Sequence, residues 1–280
     1  MTYKTMLVIL QNRTDAPRVL DFALPMAARH GSHVIGLHAE AIPMPVVSPL
    51  GGSIVEMTPA FQEDALERHK ELKTFFRERA EAEGVAYEWR SFDNVSGDSA
   101  VSGIESARTA DLVIAQQNDP NAESVRMSDV ETLLFNTGRP LLLVPYTFSG
   151  RSSPFGQVLL AWNGSKEAAR AAFDALPLMR EAGKVEVLSV DARDTMDQDA
   201  AMAGSAIAQA LARHGIDVTL KAEPSDGRSH GDVIANRLAE SGADLLVMGA
   251  FGRSRLSEFV FGGVTRGTLR SMVTPTLLSH

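Results

Sequence analysis

The strongest constraint on this chain is that it repeats itself. Lys4 to Asn12 (KTMLVILQN) aligns with Gly156 to Gly164 (GQVLLAWNG), and the same offset of 152 positions pairs Arg18 with Arg170, Leu24-Pro25 with Leu176-Pro177 and Gly31 with Gly183. At that offset His33 to Glu40 (HVIGLHAE) falls on Val185 to Ala192 (VEVLSVDA). Further on the offset drops to between 131 and 135: Gly84-Val85 matches Gly215-Ile216, Gly97-Asp98 matches Gly231-Asp232, Ala110-Asp111-Leu112 matches Ala243-Asp244-Leu245, and Pro140 matches Pro275. A duplicated segment implies two like domains, so every later reading is made twice. The drop in offset leaves about twenty extra residues in the first half, Ala41 to Ala60 (AIPMPVVSPLGGSIVEMTPA), whose Pro, Gly and Met content reads as a loop. Its apolar content leaves a lid or a partner-docking segment open beside a plain surface loop.

Within each half, apolar runs of strand length alternate with helix-length segments. In the first half these are a run near Met6, a helix through Asp15 to His30, a strand at His33, a helix through Phe61 to Glu83, a strand at Ala86, a helix near Ser99 to Arg108, and the strands LVIAQQ and PLLLVP. The second half copies this order. Strands that alternate with helices make βαβ units, and right-handed crossovers wind them into a parallel sheet covered on both faces. The expected fold class is α/β: two tandem doubly wound sandwiches, each with a five-stranded parallel sheet. The domains run 1–147 and 156–280, joined by the Ser, Gly and Pro-rich linker Thr147 to Gly156 (TFSGRSSPFG).

Composition removes several function classes. A net charge of −8 with no local Lys/Arg block argues against a nucleic-acid partner. The absence of cysteine excludes disulfides, thiolate metal sites and cysteine nucleophiles, and a reducing, cytoplasmic setting is expected. No apolar run reaches bilayer length, so no membrane association is expected, and the N-terminal run is too short for a signal segment. No His-x-x-x-His or Glu-x-x-His spacing supports a protein metal site.

In an open parallel sheet, ligands gather at the carboxyl ends of strands where the winding reverses, so the loops after the first and fourth strands of each half carry the chemistry. After the fourth strand of the second half comes Gly249-Ala-Phe-Gly252-Arg-Ser-Arg-Leu-Ser-Glu-Phe-Val-Phe-Gly262-Gly263-Val-Thr265. Glycines let backbone N–H groups approach an anion, the following helix N-terminus adds positive potential, and Arg253 and Arg255 add charge, so the loop suits a phosphate. It is neither a Walker A loop nor a Rossmann fingerprint. Ser165 reads as the N-cap of the helix KEAARAAFDAL rather than a nucleophile, and Asp98 and Asp232 read as caps of the helices they precede. His230 reads as a loop imidazole near the cleft edge, and Phe259, Val260 and Phe261 as packing residues.

The spacing Gly249-x2-Gly252-x9-Gly262 resembles the nucleotide motif of the universal stress protein family, and each half resembles that family's domain, including the endings GRPLLLVP and TPTLLSH. The resemblance implies an adenine nucleotide (ATP, or ADP or AMP), with or without Mg²⁺, held by the second half. The implied contacts are Asn163 at the family's acidic adenine position, the backbone of Val190, and the phosphate glycines Gly249, Gly252 and Gly262. Gly263 takes the family's Ser/Thr position, Thr265 matches a further contact, and Ala161, Met248, Arg253 and Val264 flank these positions. Asn163 and Gly263 depart from the pattern, the first adding a donor and the second lacking a hydroxyl. In the first half Gln11 holds the acidic position and Ala115 to Pro120 lacks the glycines, so this half is expected to be empty and structural, with Asp119 repelling phosphate.

The expected function is regulatory nucleotide binding in a stress response, with no catalytic residues and at most slow ATP hydrolysis. The resemblance also implies an intramolecular pseudo-dimer of the two halves, leaves a homodimer open, and says nothing of which protein partner is involved. The alternative is a nucleotide-independent interaction module in which both clefts are degenerate and the 41–60 insertion docks a protein. An ATP-pyrophosphatase-like enzyme would require Ser-Gly-Gly after the first strand, which Asn163-Gly164-Ser165 does not provide.

Overall fold

The computed structural model describes residues 2–41, 47–48, 52–53, 59–119, 129–192, 204–250 and 263–280. The first half contributes β1 (Thr5–Ile9), α1 (Ala16–His30), β2 (His33–Ala41), β3 (Val47–Ser48), β4 (Gly52–Ser53), α2 (Pro59–Glu83), β5 (Ala86–Asn94), α3 (Ser99–Ser102), α4 (Ile104–Ala107), β6 (Leu112–Gln116), α5 (Val130–Thr137) and β7 (Leu141–Val144). The second contributes β8 (Gln157–Ala161), α6 (Lys166–Asp174), α7 (Leu176–Glu181), β9 (Lys184–Val190), α8 (Ser205–Arg213), β10 (Val218–Glu223), α9 (His230–Ser241), β11 (Leu245–Gly249), α10 (Gly263–Ser271) and β12 (Thr276–Ser279).

The chain forms two compact units. One spans Tyr3–Thr137 with Gly150–Ser152; the other is built mainly from Gly138–Ser149 and Ser153–His280. In the first, β5, β2, β1 and β6 lie side by side in that order, all parallel. In the second the order is β10-β9-β8-β11-β12-β7. Its five strands from the second half are mutually parallel, and β7 joins them antiparallel, with Leu142 opposite Leu277. The α/β class and the parallel winding are as the alternation of strand and helix implies. Each half supplies five strands of the main sheet, as expected, and β7, the last of the first half by sequence, falls in the compact unit formed mainly by the second half. Its Leu141 to Val144 side chains are all buried, and the free edge of β12 supplies backbone partners that a strand without polar side chains needs.

Several repeated motifs acquire a physical cause. Asp111 accepts from the N–H groups of Lys4 and Thr5 at 2.7 and 2.9 Å, and Asp244 does the same for Gly156 and Gln157 at 2.7 and 3.0 Å. The repeated Ala-Asp-Leu thus caps the start of each half's first strand, at the end of the sheet opposite the ligand loops.

The second strands correct the sequence alignment. Thr5 stands opposite His33, whereas Gln157 stands opposite Lys184. The turn after Gly183 is one residue shorter than the turn after Gly31, so the structural equivalents of His38, Ala39 and Glu40 are Ser189, Val190 and Asp191.

The stretch read as loop from Ala41 to Ala60 is also revised. Ala41 ends β2, Val47–Ser48 pairs antiparallel with Gly52–Ser53, and Pro59 and Ala60 open α2. Residues 42–46, 49–51 and 54–58 lie outside the described residues.

Candidate functional site

The carboxyl edge of the second unit is built by the ends of β8, β9 and β11 and the starts of α6, α9 and α10. After β8 the chain turns at Asn163, whose Oδ1 accepts from the Ser165 N–H at 3.0 Å. Ser165 then caps α6 with extended backbone, its Oγ accepting from Ala168 N–H at 3.2 Å. The capping reading of Ser165 holds, and Asn163 remains exposed at the cleft.

Gly249, at the end of β11, sits against the first turn of α6. A Cβ placed there would lie 2.4 Å from the Ala168 nitrogen and 2.6 Å from the Glu167 carbonyl carbon, so any other residue would force the helix away. Close packing therefore requires this glycine whatever the site binds. Met248 is buried and Ala161 is half-buried beside it in the sheet, opposite one another in register.

Val190 ends β9, and Asp191 follows in left-handed backbone, φ 51°, which is uncommon for a residue with a side chain. Hydrogen bonds hold it there: its N–H donates to the Glu223 carbonyl at 3.0 Å, one carboxylate oxygen accepts from Ser225 N–H at 2.8 Å, and the other meets His230 Nε2 at 2.9 Å. Ser225 and then His230 hold this carboxyl down at about 2. Sequence reasoning placed His230 at the cleft edge but missed Asp191. The available signal was an acidic residue immediately after an apolar strand.

His230 opens α9, whose N-cap is Ser229. The Ser229 hydroxyl donates to the Asp232 carboxylate at 2.7 Å and accepts from Asp232 N–H at 3.1 Å. Asp232 is therefore a first-turn residue and not the cap, a correction to the reading that paired it with Asp98. The difference lies three residues upstream, where Ser229 already offers an acceptor to the helix.

The start of α9 approaches the start of α10: a Cβ on Gly231 would lie 3.8 Å from Val264 Cα. Three helix N-termini thus border this edge. Two carry their own anion. Asp232 lies in the first turn of α9, and Glu167, 4% exposed, lies in that of α6. Burial pushes Glu167 up, but its own backbone N–H, the Ser165 hydroxyl and Lys166 outweigh burial and hold it below the usual carboxylate range. The first turn of α10, which includes Gly263, Val264 and Thr265, contains no acidic residue. Thr265 is buried, at 3% exposure. Gly252, Arg253 and Gly262 lie outside the described residues.

At the equivalent edge of the first unit, side chains among the described residues bond across the strand and helix ends. Gln11 donates to the Gly97 carbonyl at 2.7 Å and accepts from Ser99 N–H at 2.9 Å. Ala39, the equivalent of Val190, gives its N–H to Ser99 Oγ at 2.9 Å. Asp98 caps α3 as the sequence suggested, accepting from Ala100 and Val101 N–H at 2.8 and 3.2 Å, and its other oxygen accepts from Asp129 N–H ahead of α5 at 2.9 Å. A carboxylate already occupies the N–H groups that an external anion would seek. Sequence reasoning missed Ser99, a small polar residue that no motif distinguishes. Among the described residues no group of three His, Asp or Glu is placed to hold a metal, and no helix is long and apolar enough to cross a membrane.

A family model described as the Universal stress protein family matches residues 154–280. Residues 154–280 are therefore similar to that family's domain. The whole chain is similar in fold to solved structures of that description. A universal stress protein from Archaeoglobus fulgidus DSM 4304 superposes with TM-score 0.74 at 16% identity, covering 98% of this chain and 97% of its own. A putative universal stress protein from Pseudomonas aeruginosa UCBPP-PA14 gives TM-score 0.55 at 18% identity, covering 99% and 93%. A functionally unknown protein from Pseudomonas aeruginosa PAO1 gives 0.54 at 16%, covering 99% and 92%. No curated protein matches the chain. Coverage of nearly the whole length shows that the likeness in fold extends over both halves of this chain.

Proposed function

We propose that the second unit binds an adenine nucleotide, ATP in the first instance, as a regulatory ligand in a stress response, and that the first unit does not. The observation that carries this reading is the asymmetry among the three helix starts at the second unit's edge. The N-termini of α6 and α9 have Glu167 and Asp232 in their first turns, while that of α10, which follows the glycine motif, has no acid of its own. An unbalanced helix N-terminus favours an anion by about 0.3 to 1 kcal/mol, more where it is partly buried, and free N–H groups add hydrogen bonds.

In this reading Gly252, Gly262 and Gly263 bring backbone N–H groups to the phosphates, and Arg253 supplies charge. Asn163 and the Val190 backbone meet the base, with Ala161, Met248 and Val264 lining the site. Gly249 keeps α6 close to β11, and buried Thr265 supports the start of α10. Mg²⁺ would arrive with the phosphates if at all. The reading includes no turnover beyond slow hydrolysis. Pairing of the two halves as a pseudo-dimer, a cytoplasmic setting and an unidentified protein partner complete the proposal.

The test is to denature freshly purified protein, separate released small molecules, and titrate ATP by calorimetry into the wild type and Gly252→Val. About one adenine nucleotide per chain, with affinity reduced at least about tenfold in the variant and an unchanged circular dichroism spectrum, supports the site. A protein that arrives empty and ignores millimolar ATP overturns it and favours the interaction module built on the 41–60 insertion.

A further inference from the structure

We propose that His38, Glu40 and Arg68 form a proton-held latch that fastens α2 to the sheet of the first unit and loosens as pH rises. His38 and Glu40 are both 3% exposed and lie two residues apart on one face of β2. His38 Nδ1 is 2.9 Å from the Leu10 carbonyl, and Nε2 is 3.2 Å from Glu40 Oε2. The other carboxylate oxygen, Oε1, accepts from Arg68 Nη2 at 2.9 Å, and Arg68 belongs to α2 with its side chain 45% exposed.

Both imidazole nitrogens therefore face acceptors. A carbonyl never donates, and an ionised carboxylate does not either, so both contacts can be hydrogen bonds only if the pair holds one proton more than a neutral imidazole and a carboxylate possess. Without that proton a nitrogen lone pair points at a carboxylate oxygen inside the protein, an arrangement that costs the full desolvation of an unsatisfied acceptor. Glu40 is also what holds Arg68, so loss of the proton weakens the link from β2 to α2.

Among the described residues, α2 brings Arg68 and His69 to the pair, β5 brings Trp89, β1 the Leu10 carbonyl, and α3 the Ser99 hydroxyl, which also donates to Leu10 at 3.1 Å; Lys73 and Asp93 act on His69. The His69 ring centroid is 6.0 Å from that of His38. Burial, then His38 and Lys73, push His69 down against the opposing pull of Asp93 and Glu40, so His69 favours the neutral form and does not compete for the proton. The second unit lacks the device. The equivalent of His38 is Ser189, and the carboxylate equivalent to Glu40, Asp191, bonds to His230 on α9. Because both contacts need the extra proton, the latch is complete while the pair holds it and weakens when it is lost.

Imidazole ¹⁵N shifts of His38 in the full chain, followed from about pH 6 to about pH 10, test the proton directly. Hydrogen exchange of α2 amides, corrected for intrinsic rate, tests the latch. Expected are two protonated nitrogens at the acid end, and α2 exchange rising at least about tenfold as one proton is lost. In Glu40→Gln the amide can donate to a neutral His38 and still accept from Arg68, so α2 exchange should be flat with pH. In His69→Gln the transition should persist. An unprotonated His38 nitrogen at pH 6, unchanging wild-type exchange, a transition retained in Glu40→Gln, or one lost in His69→Gln would each overturn the proposal.

Discussion

The two carboxyl edges are built by similar orders of strand and helix and differ in their polar contacts. At the first, Gln11, Ser99 and Asp98 bond to N–H and carbonyl groups across the strand and helix ends, so the donors that a ligand would use are already engaged. At the second, Asn163 turns back onto Ser165, Asp191 holds Ser225 and His230, and the start of α10 has no acidic residue of its own. Closing a site needs no loss of fold, only side chains one bond longer or one carboxylate better placed. Gln11 reaches α3, whereas the shorter Asn163 reaches only its own turn.

The comparison can be strained first at Gly249. Gly249→Ala sets a Cβ against the Ala168 nitrogen, where backbone has to move, and should destabilise the second unit by about 2 to 3 kcal/mol in urea unfolding while leaving the first unit's exchange protection intact. A neutral effect would mean that the close approach of β11 and α6 is not what selects glycine there. A smaller effect is expected at the sealed edge. Gln11→Ala removes two bonds to the start of α3 and should cost about 1 to 2 kcal/mol, with nucleotide stoichiometry unchanged because Asp98 still occupies the neighbouring N–H groups. A second nucleotide bound per chain in that variant would show that Gln11 alone keeps the edge closed.

The smallest effect is expected at Asp191. Its carboxyl is held at about 2, below the usual aspartate value, so its contribution is present above the ordinary range and lost as pH falls toward about 2. Asp191→Asn should therefore shrink the difference in urea midpoint between about pH 5 and about pH 2. Identical acid limbs in variant and wild type would remove Asp191 from the account of this edge.

Much of this was legible from residue order. The similar KTMLVILQN and GQVLLAWNG runs place the first strand of each half, and the end of the fourth strand of the second half at Gly249 was likewise legible. The capping of α6 by Ser165 and of α3 by Asp98 follows from small polar side chains one step before a helix, a local interaction that sequence encodes directly. Asp232 defeated the same rule because Ser229, three residues earlier, competes for the role. Gly249 was legible as a glycine that mattered, but the ligand reading missed the helix turn packed on it.

Sequence by itself determined the α/β class, the duplication and the strand and helix order, because these rest on hydrophobic periodicity and local backbone preference within a few residues. Only the tertiary structure decided that β7 pairs antiparallel with β12, that the second strands shift by one residue, and that Gln11 bonds to the start of α3 while Asn163 bonds within its own turn. Each depends on which backbone donor or acceptor meets which side chain across a hundred or so positions of chain, and hydrogen-bond geometry at about 3 Å is not written in any local pattern.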